Sequence, residues 1–173
     1  TKWAIDPTHS EIGFKVKHMM FTNVSGKFDQ YDGTIETQEN DFTTAVISFS
    51  ALIDSIDTLN KDRDNHLKSV DFFNAENYPE LTFAGKSFSK IDENNYELIG
   101  DLSIKNATKE VKLPVEFSGL MQDPWGNTKV GLNIEGKINR KDWGLNWNSA
   151  LETGGVLVGE EVKLTIDLQL VKS

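Results

Sequence analysis

The segment "EVKLTIDLQLV", residues 161–171, puts Val162, Leu164, Ile166, Leu168 and Leu170 on one parity and Lys163, Thr165, Asp167 and Gln169 on the other. Successive side chains of a strand point to opposite faces, so a period of two marks a strand with one buried and one wet face. The pattern recurs along the chain. Ile12, Phe14 and Val16 alternate with lysines, and "AVISFSALI" carries Ala45, Ile47, Phe49, Ala51 and Ile53 on one parity. Tyr96, Leu98, Leu102 and Ile104 form another row, followed by Val111, Leu113, Val115 and Phe117, then Val130, Leu132, Ile134 and Ile138. So many half-buried runs in succession predict an antiparallel meander of roughly eight strands, the number at which a sheet can close on itself. The predicted fold class is all-β: an extended eight-stranded antiparallel barrel with a short helical crossover.

Turn chemistry separates the runs at "YDG" (31–33), "QEND" (38–41), "DENN" (92–95) and "DPWGN" (123–127). Pro114 inside a strand pattern points to an edge, a bulge or an outward position. Two segments lack alternation, 55–77 and 140–148. The first contains "NKDRDNHLKSVDFF" and reads as the crossover, with Asn60 as N-cap and Asp62 and Asp64 in the favourable first turn. Arg63 and Asp64 are expected to anchor it to the barrel through ion pairs and caps, and Phe72 and Phe73 to insert as an apolar plug. No repeat or linker divides the chain, so residues 1–173 form a single domain.

Charge and composition exclude several function classes. The formal net charge is −9, with 27 acids against 18 Lys and Arg, a field that repels phosphate backbones and anionic membrane surfaces; nucleic acid is not an expected partner. With no Cys there is no disulfide, thiolate metal site or Cys nucleophile. No run of about eighteen apolar residues is present, so no integral membrane helix is expected. The expected location is cytoplasmic if Thr1 is near the native start, and periplasmic if a signal peptide has been removed.

The chemical motifs are few. His9 and His18 flank one strand and stand about 30 Å apart if it is extended, too far to share an ion. Asp62 and His66 have the spacing of two ligands on one helical face, but without further partners such a pair reads as a solvated face. No nucleophile elbow, zinc-protease helix or phosphate loop occurs. No metal is expected, and no spacing argues for a general acid/base pair.

Small residues interrupt the apolar rows: Gly26 lies between Val24 and Phe28, Gly100 between Leu98 and Leu102, and Gly136 between Ile134 and Ile138. They either leave open volume inside the barrel or relieve the bends that closing a barrel requires. The pattern is equally compatible with both.

"WAIDPTHSEIGFKVKH", "VSGKFDQYDGTI", "SIDTLNKDRDNHLKSVDFF", "YPELTF", "GDLSIKNATKEVKLPVEF" and "INRKDWGLNW" follow one another in that order. Together they resemble the YceI-like family of polyisoprenoid- or lipid-binding proteins, from Trp3 to Leu170. The most specific part is Arg63-Asp64-x-His66-Leu67-x-Ser69-x-Asp71-Phe72-Phe73. The resemblance implies a lipocalin-like barrel with an elongated apolar tunnel for one long-chain isoprenoid or fatty-chain lipid, serving carriage, storage or sequestration. It implies no catalytic residue and no cofactor besides the lipid. Phe14, Val16, Ile47, Phe49, Ala51, Leu98, Leu102, Val115, Phe117, Ile134, Trp143 and Ile166 are the expected lipid-binding residues, with the head group near Arg63 or His66. Rival readings are a lipid-modifying hydrolase using Asp62 and His66, and a dry barrel acting through protein contacts. A homodimer is left open.

Overall fold

The computed structural model describes residues 1–149 and 157–173. Its strands are β1 (Lys2–Ile5), β2 (Glu11–His18), β3 (Thr22–Phe28), β4 (Tyr31–Gln38), β5 (Asp41–Leu52), β6 (Ile56–Asp57), β7 (Glu80–Lys90), β8 (Asn95–Ile104), β9 (Ala107–Gln122), β10 (Thr128–Asn139) and β11 (Val158–Lys172), with one α-helix, α1 (Lys61–Lys68). The strand order β1-β4-β5-β7-β8-β9-β10-β11 returns to β1, closing an antiparallel barrel of eight strands. The surplus of three arises because three staves are interrupted, one of them between β5 and β6 at Ile53–Ser55. β11 pairs with β1 through Ile5–Leu170 and then with β2 through Ile12–Ile166, so β1 and β2 lie in one line. Between them Pro7–His9 makes one 3-10 turn, capped by the Asp6 carboxylate at Thr8 N. β3 and β4 form the neighbouring stave, broken at Asp29–Gln30.

That break corrects one expectation. "YDG" is not a turn; Tyr31, Asp32 and Gly33 pair with Ala51, Ser50 and Phe49 inside the barrel wall. Gly33 is needed for close approach, since a Cβ there would meet Ile5 Cδ1 at 2.7 Å. The other three turn segments do connect consecutive strands. Pro114 is exposed in β9 and faces Glu97 of β8, while β10 pairs with β9 only from Val115 onward. Its missing N–H therefore costs no ladder bond on the unpaired side.

The barrel has two unlike ends. At one, Trp3, Phe42, Phe88, Tyr96 and Phe117 pack ring against ring, with centroids 4.9 Å apart for Trp3–Phe42, 5.1 Å for Phe42–Phe117 and 4.7 Å for Phe88–Tyr96. Trp3 Nε1 donates to Thr37 Oγ1 at 3.0 Å, so this apolar layer buries no unpaired indole. Val130 and Leu170 are fully buried beside it. At the other end lie the β2–β3 turn, the crossover from β5 to β7 that contains α1, and the segment after β10.

The glycines of the apolar rows follow neither expected reading. A Cβ on Gly26 would collide with the Phe14 ring, one on Gly100 with the Phe83 ring, and one on Gly136 would meet Leu113 Cδ2 at 2.6 Å. Each glycine receives the side chain of a neighbour, so the space it frees is already filled. Open volume lies elsewhere.

Candidate ligand-binding cavity

Inside the barrel is a cavity of about 710 Å³, within the range of small-molecule sites. It is elongated. On β11 alone its wall runs from Val158 to Leu170 through Val162, Leu164, Ile166 and Leu168, about 40 Å of strand at roughly 3.3 Å per residue. The wall is hydrocarbon along most of this length. Its charged and amide residues (Lys17, His18, Asn60, Asp62, Arg63, His66 and Arg140) come from the crossover end, opposite the aromatic layer.

Most of the sequence-predicted wall converges here. Phe14 and Val16 project from β2, Ile47 and Phe49 from β5, and Leu98 and Leu102 from β8. Ile134 of β10, Ile166 of β11 and Trp143 beyond β10 complete the group. Trp143 is held by its Nε1, which donates to Leu102 O at 2.8 Å. Three expected residues lie off the wall. Val115 and Phe117 are buried in the core toward the aromatic end, and Phe117 is itself one of the packed rings. Ala51, only 1% exposed, lies in packed core at the end of β5, paired across to Tyr31 and Leu81. Parity gave all three the correct face, but a strand's inward row continues past the hollow into the packed layers at either end.

The crossover is built as the sequence indicates at its start. Asn60 Oδ1 accepts from Arg63 N at 3.0 Å, and α1 follows with Asp62 and Asp64 in its first turn. The anchoring differs from the expected ion pairs. Arg63 Nε donates to Thr58 Oγ1 at 2.8 Å and its Nη2 to Thr58 O at 2.7 Å. Asp64 accepts from Thr58 N at 2.9 Å and from the Thr58 hydroxyl. Thr58, buried and packed over Gly26, is the common partner of both charges. The paired Phe72 and Phe73 reach inward to the cavity, as expected of a plug.

His66 does not pair with Asp62. Its Nε2 lies 2.8 Å from Asp71 Oδ2, and its ring sits edge-on to Trp147 at 4.6 Å and to Phe72 at 5.2 Å. Arg63 and His66 both line the polar end of the cavity. Among the described residues no group of three or more His, Asp or Glu side chains converges as metal ligands.

Arg140 is the residue that sequence reasoning missed. It is 3% exposed, lines the cavity, and has no carboxylate within ion-pair distance among the described residues. Its Nε donates to Gly159 O at 2.8 Å, Nη1 to the carbonyls of Leu145 and Trp147, and Nη2 to Val158 O at 3.3 Å. Burial pushes its pKa below the usual arginine value, and the charge of Glu160 opposes that shift. The guanidinium ties the start of β11 to the segment after β10 and holds Trp147 at the cavity. Its position directly after a strand was the one available signal; its burial depends on carbonyls up to 19 residues away.

A barrel closed by rings at one end, hollow along its length and polar at the other has close relatives. A UPF0312 protein of Staphylococcus aureus is 42% identical over 164 residues, covering 94% of this chain and 93% of its own. The crystal structure of a Campylobacter jejuni YCEI protein superposes with a TM-score of 0.78 at 30% identity, covering 91% of this chain and 90% of that one. A polyisoprenoid binding domain from Saccharophagus degradans shares the fold at 11% identity, with a TM-score of 0.73 over 99% of this chain and 98% of that one. The YceI-like domain family matches residues 3–170, the entire barrel from the Trp3 ring to Leu170, and the chain belongs to that family.

Proposed function

We propose that this protein holds one long-chain lipid, isoprenoid or fatty, inside the barrel as a carrier, store or sequestering protein. The observation that carries the reading is the cavity: about 710 Å³, elongated, walled by hydrocarbon and polar at one end only. An amphiphile with a long tail and a small head matches that distribution. The name of the Saccharophagus degradans domain, a polyisoprenoid binding domain of the same fold, supports it.

The tail would lie along the β11 row toward the aromatic layer, among Phe14, Ile47, Phe49 and Ile166. Burial contributes about 0.8 kcal/mol per CH₂, so roughly twenty carbons give a gross 16 kcal/mol or so. Association and ordering of the chain offset much of this, and the surplus still leaves useful affinity without a strong polar anchor. The head group would sit beside Arg63 and His66, with the buried guanidinium of Arg140 also on the cavity wall. Binding without chemical conversion is the reading we adopt, because His66 is engaged by Asp71 and not by Asp62, the partner that the hydrolase reading requires.

The test is a titration of delipidated protein with a fluorescent polyprenyl probe. Saturable uptake by the wild type, weakened when Ile166→Trp fills part of the cavity, is the expected result. Absence of uptake across polyprenyl and long-chain fatty probes contradicts it.

A further inference from the structure

The turn between β2 and β3 is costly as a turn. Met19 and Met20 have φ of 52° and 68°, so the first two residues of the three-residue loop Met19–Phe21, the central pair of the turn that Phe21 N closes on His18 O, lie in the left-handed region. Asn and Gly suit such positions; a long side chain there is strained. The same residues are exposed, Met19 by 47%, Met20 by 54% and the adjacent Phe21 by 85%. Three large apolar side chains thus project into solvent at a place where folding alone favours small polar ones. Local rules broken together in this way mark function.

The surroundings identify what the tip meets. No acid occurs between Ile12 and Phe28, whereas the chain as a whole carries −9. Lys15 and Lys17 are exposed and have no carboxylate within ion-pair distance among the described residues. Across the outer face Lys15 pairs in register with Lys163, which in turn faces Lys137. The nearest acids of β11, Glu160 and Glu161, are already engaged by Lys141 at 2.7 Å and Lys137 at 3.8 Å. Lys17 and His18, directly before the tip, also line the polar end of the cavity.

The opposite end supplies the contrast. Trp125 at the β9–β10 turn is 82% exposed, but Asp92, Glu93, Glu97, Glu116 and Asp123 come from the strands and turns of that end. An apolar tip with a basic stem fits a bilayer bearing anionic head groups; one among acids is repelled by it.

We propose that the β2–β3 hairpin docks this protein onto an anionic lipid bilayer, inserting Met19, Met20 and Phe21 with Lys15 and Lys17 at the head groups. Docking by this tip brings the polar end of the cavity to the membrane surface, so a lipid passes between bilayer and barrel without its tail crossing bulk water. This role in transfer rests on the lipid-binding reading above.

The test uses vesicles of phosphatidylglycerol and phosphatidylethanolamine against vesicles of phosphatidylcholine alone. Wild-type protein should co-sediment with the first and not the second, and release from them as salt is raised. Phe21→Asp and, separately, Lys15→Glu with Lys163→Glu, two exposed lysines off the cavity wall, should each weaken vesicle binding by about tenfold or more. Both should also slow probe uptake from vesicles while leaving uptake of probe delivered from ethanol unchanged. Trp125→Asp, at the far end, should alter neither. Absence of vesicle binding by the wild type, or loss with Trp125→Asp rather than Phe21→Asp, overturns the docking proposal. Failure of uptake from ethanol by the wild type overturns the lipid-binding reading instead, so the two failures are distinct.

Discussion

Arg63 and Thr58 are joined twice, by Nε to the threonine hydroxyl at 2.8 Å and by Nη2 to its carbonyl at 2.7 Å. Asp64, the next residue of α1, holds the same threonine through its backbone N–H. Helix α1 is therefore tied back to Thr58, directly after β6, at one buried polar point, and that point sits at the polar end of the cavity.

Arg63→Ala should lower stability by about 1–3 kcal/mol, because the carbonyl and hydroxyl of Thr58 lose charged donors. Arg63→Lys should rescue only part, since an ammonium cannot reproduce the two-nitrogen fork. Urea midpoints of the three proteins measure this. His66→Ala should leave metal content unchanged, and stoichiometric zinc or iron that vanishes in that variant would contradict the structural role assigned to the segment.

Arg140→Met removes a buried cation together with the donors to Leu145, Trp147, Val158 and Gly159. A cost of about 3–5 kcal/mol is expected, since each buried carbonyl left without its donor costs about 1–3 kcal/mol and some of the four regain water. The fluorescence of Trp147 should shift to the red as its tether is lost. A variant as stable as wild type would show that these carbonyls find water at no cost.

Acid should weaken the fold at two defined carboxylates. Hydrogen bonds from His9 and Thr8 hold Asp6 at about 2, down from 3.8. Burial pushes Asp123 up, but the bonds from Asn127, Trp125 N and Lys129 outweigh it and bring it also to about 2. A depressed folded pKa stabilises above the unfolded value and is lost as pH falls toward the folded one. Both contributions should thus be complete above pH 4 or so and disappear between about pH 4 and 2. Carboxyl-carbon chemical shifts followed by NMR should show midpoints near 2 for these two residues; ordinary midpoints would contradict the turn geometry.

Large side chains separate wall from core. Ala51 is 1% exposed and off the cavity, so Ala51→Trp should cost about 1–3 kcal/mol or more through forced rotamers and backbone shifts. Ile166 faces the hollow, so Ile166→Trp should keep near-wild-type apo stability while weakening probe uptake. Urea midpoints and probe titrations of both variants test the position of the cavity boundary. The reverse pattern would place the boundary on the wrong residues.

The sequence revealed the barrel because alternation is a local property: the rows on β2, β8, β9 and β11 needed no knowledge of their neighbours. The start of α1 was equally legible, through Asn60 and its acids. What depends on contacts distant in sequence was not. Nothing local says that the Phe14 ring fills the space over Gly26, or that Phe83 does so over Gly100, and nothing local ends the hollow before Ala51, Val115 and Phe117. Arg140 was hidden for the same reason: its acceptors are carbonyls, which every residue carries, so no side-chain pattern announces them.

Native mass spectrometry of gently purified protein, followed by organic extraction and mass analysis of the extract, tests the central claim most directly. The expected spectrum shows the 19.4 kDa chain carrying one extra mass, lost on denaturation and recovered in the extract as a long-chain lipid. A spectrum of bare chain from several hosts, with no mass gained after incubation with added polyprenols and long-chain fatty lipids, would contradict it.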